Sequence, residues 1–403
     1  MIRSLGRRGI HVAAGDASPR SPGFFSRHTA ERVVYPPPRT DAPATVAALA
    51  RATGERGIDL VIPVGEELVV LLSGAREEFR DATVLALPDA DALETARDKL
   101  ATVELATRLG VPAPRTVLVR TADEAVREAT HFRWPVVLKP QSSRAVRSGG
   151  QVDAFGIEYA ADPAALEKRM SAFEGRSAVL LQEYVPGDGH GVGLLMDRGK
   201  PLLAFQHRRL REVPFTGGPS SLRESVALDP VLFDYSVRLL EALEWTGPAM
   251  VEFKVGPGGV SLMEINGRLW GSLPLAVKSG VDFPGRIVKL FLEPPAQPSG
   301  ALPRDLEYRV GVRSRDLNLE LTWIASVLAR RSAYPFLEAP RRREAAAAAL
   351  RLLDPRDGFD VLDAHDPIPG LAEVADIAAK VPRRLARAVE RSSFPAAPRP
   401  HPH

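Results

Sequence analysis

The stretch PAMVEFKV-GPGG-VSLMEIN, residues 248–266, leaves the chain few conformational choices. Two apolar runs flank a Gly/Pro tetrapeptide, which is the composition of a β-hairpin. Side chains alternate across a strand, so Glu264 and Asn266 share one face while Met263 and Ile265 take the other. Folding about Pro257 and Gly258 sets Glu252 opposite or diagonal to Glu264. Two carboxylates and an amide oxygen then converge. Buried acids side by side repel one another unless a cation sits between them. Three oxygen donors without nitrogen or sulfur suit Mg²⁺ better than Zn²⁺. Taken alone, the pattern is equally that of an amphipathic hairpin with a solvated acidic face.

The rest of the chain narrows the classes to which such a hairpin can belong. Its 403 residues exceed what one ordinary core organises, so two to four subdomains are expected. There are no cysteines, which excludes a disulfide framework, a thiolate metal site and a cysteine nucleophile, and suits a reducing cytoplasm. No apolar run reaches the length of a membrane span, and MIRSLGRRGIHV lacks the apolar core of a signal peptide. The formal net charge is only +3, with arginines and acids interspersed, so neither nucleic acid nor a membrane is an expected partner.

Residues 1 to about 95 alternate helix and strand: IRSLGRRG as a helix closed by Gly9, IHVAAGD as a strand ending at Asp16, DAPATVAALARATGERG as a helix, and IDLVIPVGE as a buried strand. Such alternation predicts a parallel sheet. A unit of this kind normally opens with a strand and this chain opens with a helix, so either the strand is absent or the start lies elsewhere. ALETARDKLATVELATRLG reads as one long amphipathic helix ended by Gly110, and TADEAVREATHF as a helix with Thr121 as its N-cap. WPVVLKP is a buried strand that carries Lys139 into a polar loop, QSSRAVRSGG. AVLLQEYVPGDG is a strand entering a turn, GVGLLMDRGKPLLAFQHRRL a hairpin, and residues 229–244 a helix. Beyond about 295 the chain is Pro-rich, then helical and rich in Ala and Arg with solvated faces. FPAAPRPHPH is expected to be disordered.

A lysine at the end of a buried strand is costly unless an anion pairs with it. That lysine, the hairpin acids and two further segments occur in a definite order: RDKL, VVLKP, QEYVPG, VEFKV and MEINGRLWGS. In this order and spacing they resemble the ATP-grasp superfamily over roughly residues 1–290, with a pattern similar to biotin carboxylase and the carbamoyl-phosphate synthase large subunit, including shorter carboxylate–amine ligases.

The resemblance implies an α/β and α+β architecture. A truncated Rossmann-like pre-ATP-grasp βα domain (1–94) would precede a two-lobed ATP-grasp domain (95–295; small lobe about 113–184, large lobe about 185–295) and a mostly helical C-terminal extension (296–403). It implies that Lys99 and Lys139 contact ATP phosphates, that Gln182, Glu183, Tyr184 and Val185 line the adenine pocket, and that Asp188 holds the ribose. Glu252, Glu264 and Asn266 would bind two Mg²⁺ ions, for which Mn²⁺ is a possible substitute, and Arg268 would steady the transferred phosphate if the strand continues past Asn266. The loop after Lys139 departs from the pattern, with Arg144 and Arg147 in place of small residues, although Gly149 and Gly150 are kept. The expected chemistry is ATP-dependent ligation of a small-molecule carboxylate to an amine through an acyl phosphate. FQHRRLREVPFTGGPSSLRES (205–225) would form the substrate wall, where His207, Arg208, Arg209 and Arg211 crowd one hairpin end and Arg209 is a catalytic candidate. The alternatives are a phosphotransferase acting on a hydroxyl and an ATP-binding regulatory protein. The segment after 300 lies beyond every motif and is expected to be dispensable for nucleotide binding, with a homodimer among its possible uses.

Overall fold

The computed structural model describes residues 1–79, 83–140, 144–146, 152–154, 156–173, 175, 177–293, 307–329, 334, 336–337, 339–354 and 356–392. Of the sequence expectations, those on Arg147, Gly149, Gly150 and the FPAAPRPHPH tail lie outside these residues.

The N-terminal region contains the expected alternation, divided differently. Strands β1 (Ala13–Asp16) and β2 (Glu31–Val34) form one parallel pair, and β3 (Leu60–Val61) and β4 (Val84–Leu85) form another. The parallel pairing is therefore present as two two-stranded sheets, and the long strand read in IDLVIPVGE pairs over only two residues. Helix Ala42–Arg56 lies between them. The Asp41 carboxylate caps its start, accepting from the Ala44 amide at 3.0 Å, and Gly57 ends it at φ 59°, a conformation that favours glycine.

The single helix expected across RDKL is in fact two, Ala90–Arg97 and Lys99–Arg108. Asp98 between them is extended, at φ −78° and ψ 111°, and its carboxylate accepts from the amides of Leu100 (2.8 Å) and Ala101 (3.1 Å). An aspartate that caps satisfies orphan amides that a continuous helix would leave to its own carbonyls, and this local competition breaks the run.

The small lobe is an antiparallel sheet of four strands: β5 (Thr116–Val119), β6 (Val136–Pro140), β9 (Glu158–Ala160) and β10 (Val179–Glu183), ordered β5-β10-β6-β9. A short hairpin of β7 (Arg144–Val146) and β8 (Val152–Ala154) lies between β6 and β9, so Arg144 belongs to a strand where a loop was expected. Helices Ala122–Ala129 and Pro163–Met170 cover the face that carries Val136, Leu138, Val179 and Leu181. Thr121 is the predicted cap, accepting from the Glu124 amide at 3.2 Å. By alternation Val137 and Lys139 take the opposite face.

The large lobe is a sheet of seven strands: β11 (Asp188–Asp197), β12 (Lys200–Glu212), β13 (Ser220–Val226), β14 (Gly247–Gly256), β15 (Gly259–Asn266), β16 (Arg313–Arg315) and β17 (Asp357–Phe359), ordered β15-β14-β11-β12-β13-β16-β17. Helix Pro230–Ala242 and Trp245 pack on the face of Val192, Leu194, Ala249, Val251 and Phe253. On the other face the first part of β11 carries no side chains, because Gly189, Gly191 and Gly193 occupy alternate positions. A Cβ at Gly191 would sit 2.3 Å from the ring of His207 on the neighbouring strand, so the missing side chain makes room for that imidazole.

The sheet does not end at residue 295. Strands β16 and β17 extend it and bury Arg315 and Asp357. Arg315 is fully buried and pairs with Asp357, Arg223 of β13 pairs with Asp360, and Glu320 accepts from Ser221 Oγ (2.8 Å) and from Arg211. Farther on, Asp366 accepts from Arg3 Nε at 2.9 Å and from Ser26 Oγ at 2.6 Å, returning the chain to its N-terminal region. A truncation near 300, innocuous by motif, therefore removes two strands of the main sheet. Removing one member of a buried pair leaves an uncompensated charge. Asp360→Ala is expected to lower unfolding stability by about 3–5 kcal/mol, read as a shift of the urea midpoint. A change within about 0.5 kcal/mol, the range of an ordinary surface substitution, would show that Arg223 finds its compensation elsewhere.

Candidate active site

The hairpin turns at Pro257 and Gly258, with Gly256 paired to Gly259. Glu252 lies directly opposite Glu264, and Met250 opposite Asn266. The register shifts between Glu252 and Phe253, whose partners are Glu264 and Leu262, so Met263 is the extra residue of a β-bulge. The bulge allows Ile265 and Leu262 both to enter the apolar core while Glu264 stays on the face of Glu252. Asn266 Nδ2 donates to Glu252 Oε1 at 3.0 Å and to Glu264 Oε1 at 3.2 Å, tying the two acids together.

Burial pushes the Glu252 carboxyl up to about 7. The Arg209 guanidinium opposes that shift and the Glu264 charge adds to it. Two opposed carboxylates and an amide fit a hard divalent cation, and rotating the Asn266 amide turns its oxygen toward the same point. Among the described residues no group of three His, Cys, Asp or Glu side chains is arranged to hold a metal.

Facing this cluster is a cavity of about 270 Å³ lined by Lys99, Lys139, Glu264, Asn266 and Arg268. Each comes from a different local device. Lys99 opens the helix that Asp98 caps, and Lys139 sits near the end of β6. Desolvation holds the Lys139 ammonium below the usual lysine value, with the Glu264 charge working against it. Arg268 is not on a continued strand, because β15 ends at Asn266. Gly267 passes beneath Trp245, where a Cβ would lie 2.5 Å from the indole ring, and the chain bends there. Arg268 then reaches the same cavity from the bend, donating to the Leu269 carbonyl at 3.0 Å and lying 3.8 Å from Glu66 Oε2. Glu66, at the start of helix Glu66–Gly74, carries no recognisable motif and was missed by sequence reasoning.

The crowd of basic residues on β12 separates. Arg209 pairs with Glu252, donates to the Gly218 carbonyl at 3.2 Å, and lies 3.4 Å from Glu212. Arg208 turns to Glu224 (3.2 Å), with Asp188 at 3.8 Å, and Arg211 turns to Glu320. His207 is fully buried with Ser272 Oγ 3.2 Å from Nε2. Burial, then Arg209 and Arg223, hold its pKa well below the usual value, so it is neutral at physiological pH. Only Arg209 of the four touches the hairpin acids.

The adenine and ribose candidates are less concentrated. Gln182 is buried and donates from Nε2 to Thr116 Oγ1 at 2.8 Å, a contact within the small lobe. The Glu183 amide donates to the Arg115 carbonyl at 3.0 Å, which leaves its carbonyl rather than its N–H for a ligand. Tyr184 meets Tyr159 edge-on at 6.1 Å, and Val185 is half-buried beside it in sequence. Asp188 is exposed and lines a second cavity with Arg209 and Lys254, not the one containing Lys139.

Comparison with known proteins gives this arrangement relatives. Residues 176–312, which run from β10 through the hairpin, match the family described as ATP-grasp in the biosynthetic pathway with Ter operon. A probable alpha-L-glutamate ligase of Thioalkalivibrio sulfidiphilus is 28% identical over 250 residues, covering 60% of this chain and 78% of that one. An N5-carboxyaminoimidazole ribonucleotide synthase of Synechococcus elongatus is 27% identical over 201 residues, and the match spans 49% of this chain and less than half, 46%, of that relative. The solved structure of the Campylobacter jejuni biotin carboxylase complex shares the fold with a TM-score of 0.61 at 18% identity, covering 77% of this chain and 71% of that one. With that match, those relatives and this fold, the chain is similar to ATP-grasp proteins over residues 176–312 and shares their fold.

Proposed function

We propose that the chain is an ATP-dependent carboxylate–amine ligase that works through an acyl phosphate. The observation that carries the reading is the single cavity where Lys99, Lys139 and Arg268 face Glu264 and Asn266, with Glu252 behind them. Three cations opposite two acids form a site for a polyanion whose charge is shared with a metal. The alpha-L-glutamate ligase among the relatives supports the ligase class.

In this proposal a substrate carboxylate oxygen attacks the γ-phosphorus of ATP and ADP departs with the electron pair of the broken bond. An amine then attacks the acyl carbon, inorganic phosphate leaves, and the amine nitrogen loses a proton. Bound Mg²⁺, two ions in this reading with Mn²⁺ a substitute, would neutralise charge on the phosphate oxygens. Glu252, Glu264 and Asn266 would hold it. Lys99 and Lys139 would fix the phosphates as point charges, and the desolvation that lowers the Lys139 pKa is consistent with an anionic partner there. Glu183 to Val185 border the base, and Arg268, tethered near Glu66, meets charge that develops during transfer. The chain supplies no covalent nucleophile, in keeping with its lack of cysteine.

The direct test screens candidate acids and amines for ADP and phosphate release. Both products, dependent on both substrates, support ligation, whereas ADP without free phosphate identifies a phosphotransferase. Lys139→Ala is expected to weaken ATP binding by about 10–100-fold, the worth of a hydrogen bond to a charged group, with the melting curve unchanged. ATP affinity equal to wild type would remove Lys139 from the phosphate site. Glu264→Gln and Arg268→Ala are expected to fail differently. The former should recover part of its activity at high Mg²⁺. The latter should keep ATP and Mg²⁺ affinity and lose on the order of 10²–10³ in turnover. Steady-state ADP release across a Mg²⁺ titration separates them, and equal rescue of both would refute the division of roles.

A further inference from the structure

The face of the small lobe that carries Lys139 is already covered. Val137 shares that face, two positions and about 7 Å back along β6. Tyr159 of β9 pairs with Val137 on one side and Gln182 of β10 on the other, so residues 183–185 leave the sheet beside Val137. A nucleotide with its phosphates at Lys139 and its base beside residues 183–185 must lay that base over Val137.

The residue found there is Leu337, from the C-terminal segment, beyond the residues 176–312 that match the family. Val137 and Tyr159 are each 5% exposed and Leu337 is 7% exposed, and the three form an apolar cluster of their own with Tyr184 and Tyr334 packed against it. Tyr334 meets the Tyr159 ring edge-on at 5.0 Å, and its hydroxyl donates to Glu158 Oε2 at 2.6 Å. Arg169 pairs with the same carboxylate and lies 4.7 Å from the centre of the Tyr334 ring. The Leu337 amide donates to the Tyr334 carbonyl at 3.1 Å, which closes a turn. In sequence this turn lies between helices Leu317–Leu328 and Arg342–Arg351, which pack together through Trp323, Val327, Ala345 and Ala348, with Val213 of the large lobe against them. The turn is thus carried by the large lobe and rests on the small one.

The cavity that holds Lys99 and Lys139 is lined by neither Val137 nor residues 182–185. Its phosphate end is open, while Leu337 covers the base end. Val137 cannot take a leucine and a base on the same face at once. We propose that the turn of Tyr334 and Leu337 is an autoinhibitory contact, in which Leu337 occupies the place of the nucleotide base and leaves when ATP binds. This inference rests on the nucleotide site of the ligase reading and adds a regulatory element to it. The apparent ATP affinity is reduced by the fraction of molecules in which the base site is open, and weakening the turn's hold raises that fraction. The hold is divided between the apolar contact of Leu337 and the hydroxyl and ring of Tyr334.

The test uses the full-length protein with Mg²⁺ and a non-hydrolysable ATP analogue. By calorimetry Leu337→Ala is expected to bind the analogue about tenfold more tightly than wild type, because the closed state loses the contact of a buried leucine. Tyr334→Phe, which keeps the ring and removes only the donor to Glu158, should also bind more tightly, and it decides the question should Leu337→Ala not fold. The chain has no cysteine, so Leu337→Cys introduces a single thiol. Saturating analogue is expected to speed reaction of that thiol with a maleimide several-fold, because the displaced turn is exposed. Weaker binding by Leu337→Ala with slower labelling would make Leu337 a wall of the base pocket and overturn the proposal. Affinities and labelling that do not change would overturn it too. An analogue bound by none of wild type, Leu337→Ala and Tyr334→Phe would refute the nucleotide site itself, and this inference with it.

Discussion

The opposition of Glu252 and Glu264 is the constraint around which the rest of the site is arranged. Two acids held face to face on a buried hairpin repel each other, and the chain answers from three directions. Asn266 donates to both, Arg209 pairs with one, and Lys139 places its ammonium in the cavity that Glu264 lines. The geometry depends on one inserted residue. Without the bulge at Met263, strict alternation would send either Leu262 out of the core or Glu264 away from Glu252. Local charge placement and global core packing thus meet at a single irregularity of the ladder.

The hairpin is legible because it carries its turn residues in place and alternates on either side of them, which sets Glu252 opposite or diagonal to Glu264; the structure makes it opposite. The break in RDKL is not legible, because periodicity sees the helical phase and overlooks the capping competition of Asp98. That break is what puts Lys99 at the start of a helix and in the cavity. Strand β16 was invisible for another reason. Arg313, Ser314 and Arg315 have no apolar signature, and they are ordered by carboxylates at Glu224, Asp360 and Asp357 that lie far away in sequence. The bare stripe of β11 was readable as Gly189, Gly191 and Gly193, but its purpose needs the imidazole that fills it. The roles of the individual site residues rest on the resemblance, and the coordinates add their proximity.

The basic residues of β12 show how little a cluster in sequence says about a cluster in space. Arg208, Arg209 and Arg211 lie within four positions, yet their partners are on β13, β14 and the helix Leu317–Leu328. A register shift between Arg209 and Arg211 contributes to the dispersal by changing which face each presents. One guanidinium is left at the hairpin acids, Arg208 stays within the large lobe, and Arg211 joins that lobe to the C-terminal segment.

The Asp366 contact has a consequence for how such a chain is made. Arg3 and Ser26 are 363 and 340 residues from the carboxylate that satisfies them. Closing a loop of that length is slow compared with forming neighbouring helices and hairpins, and its entropy must be met before the contact returns anything. During synthesis the first residues leave the ribosome long before Asp366 exists, so the N-terminal region waits with a buried hydroxyl and a guanidinium uncompensated. Its final docking therefore waits until Asp366 has been made, and it comes late among the contacts of the fold.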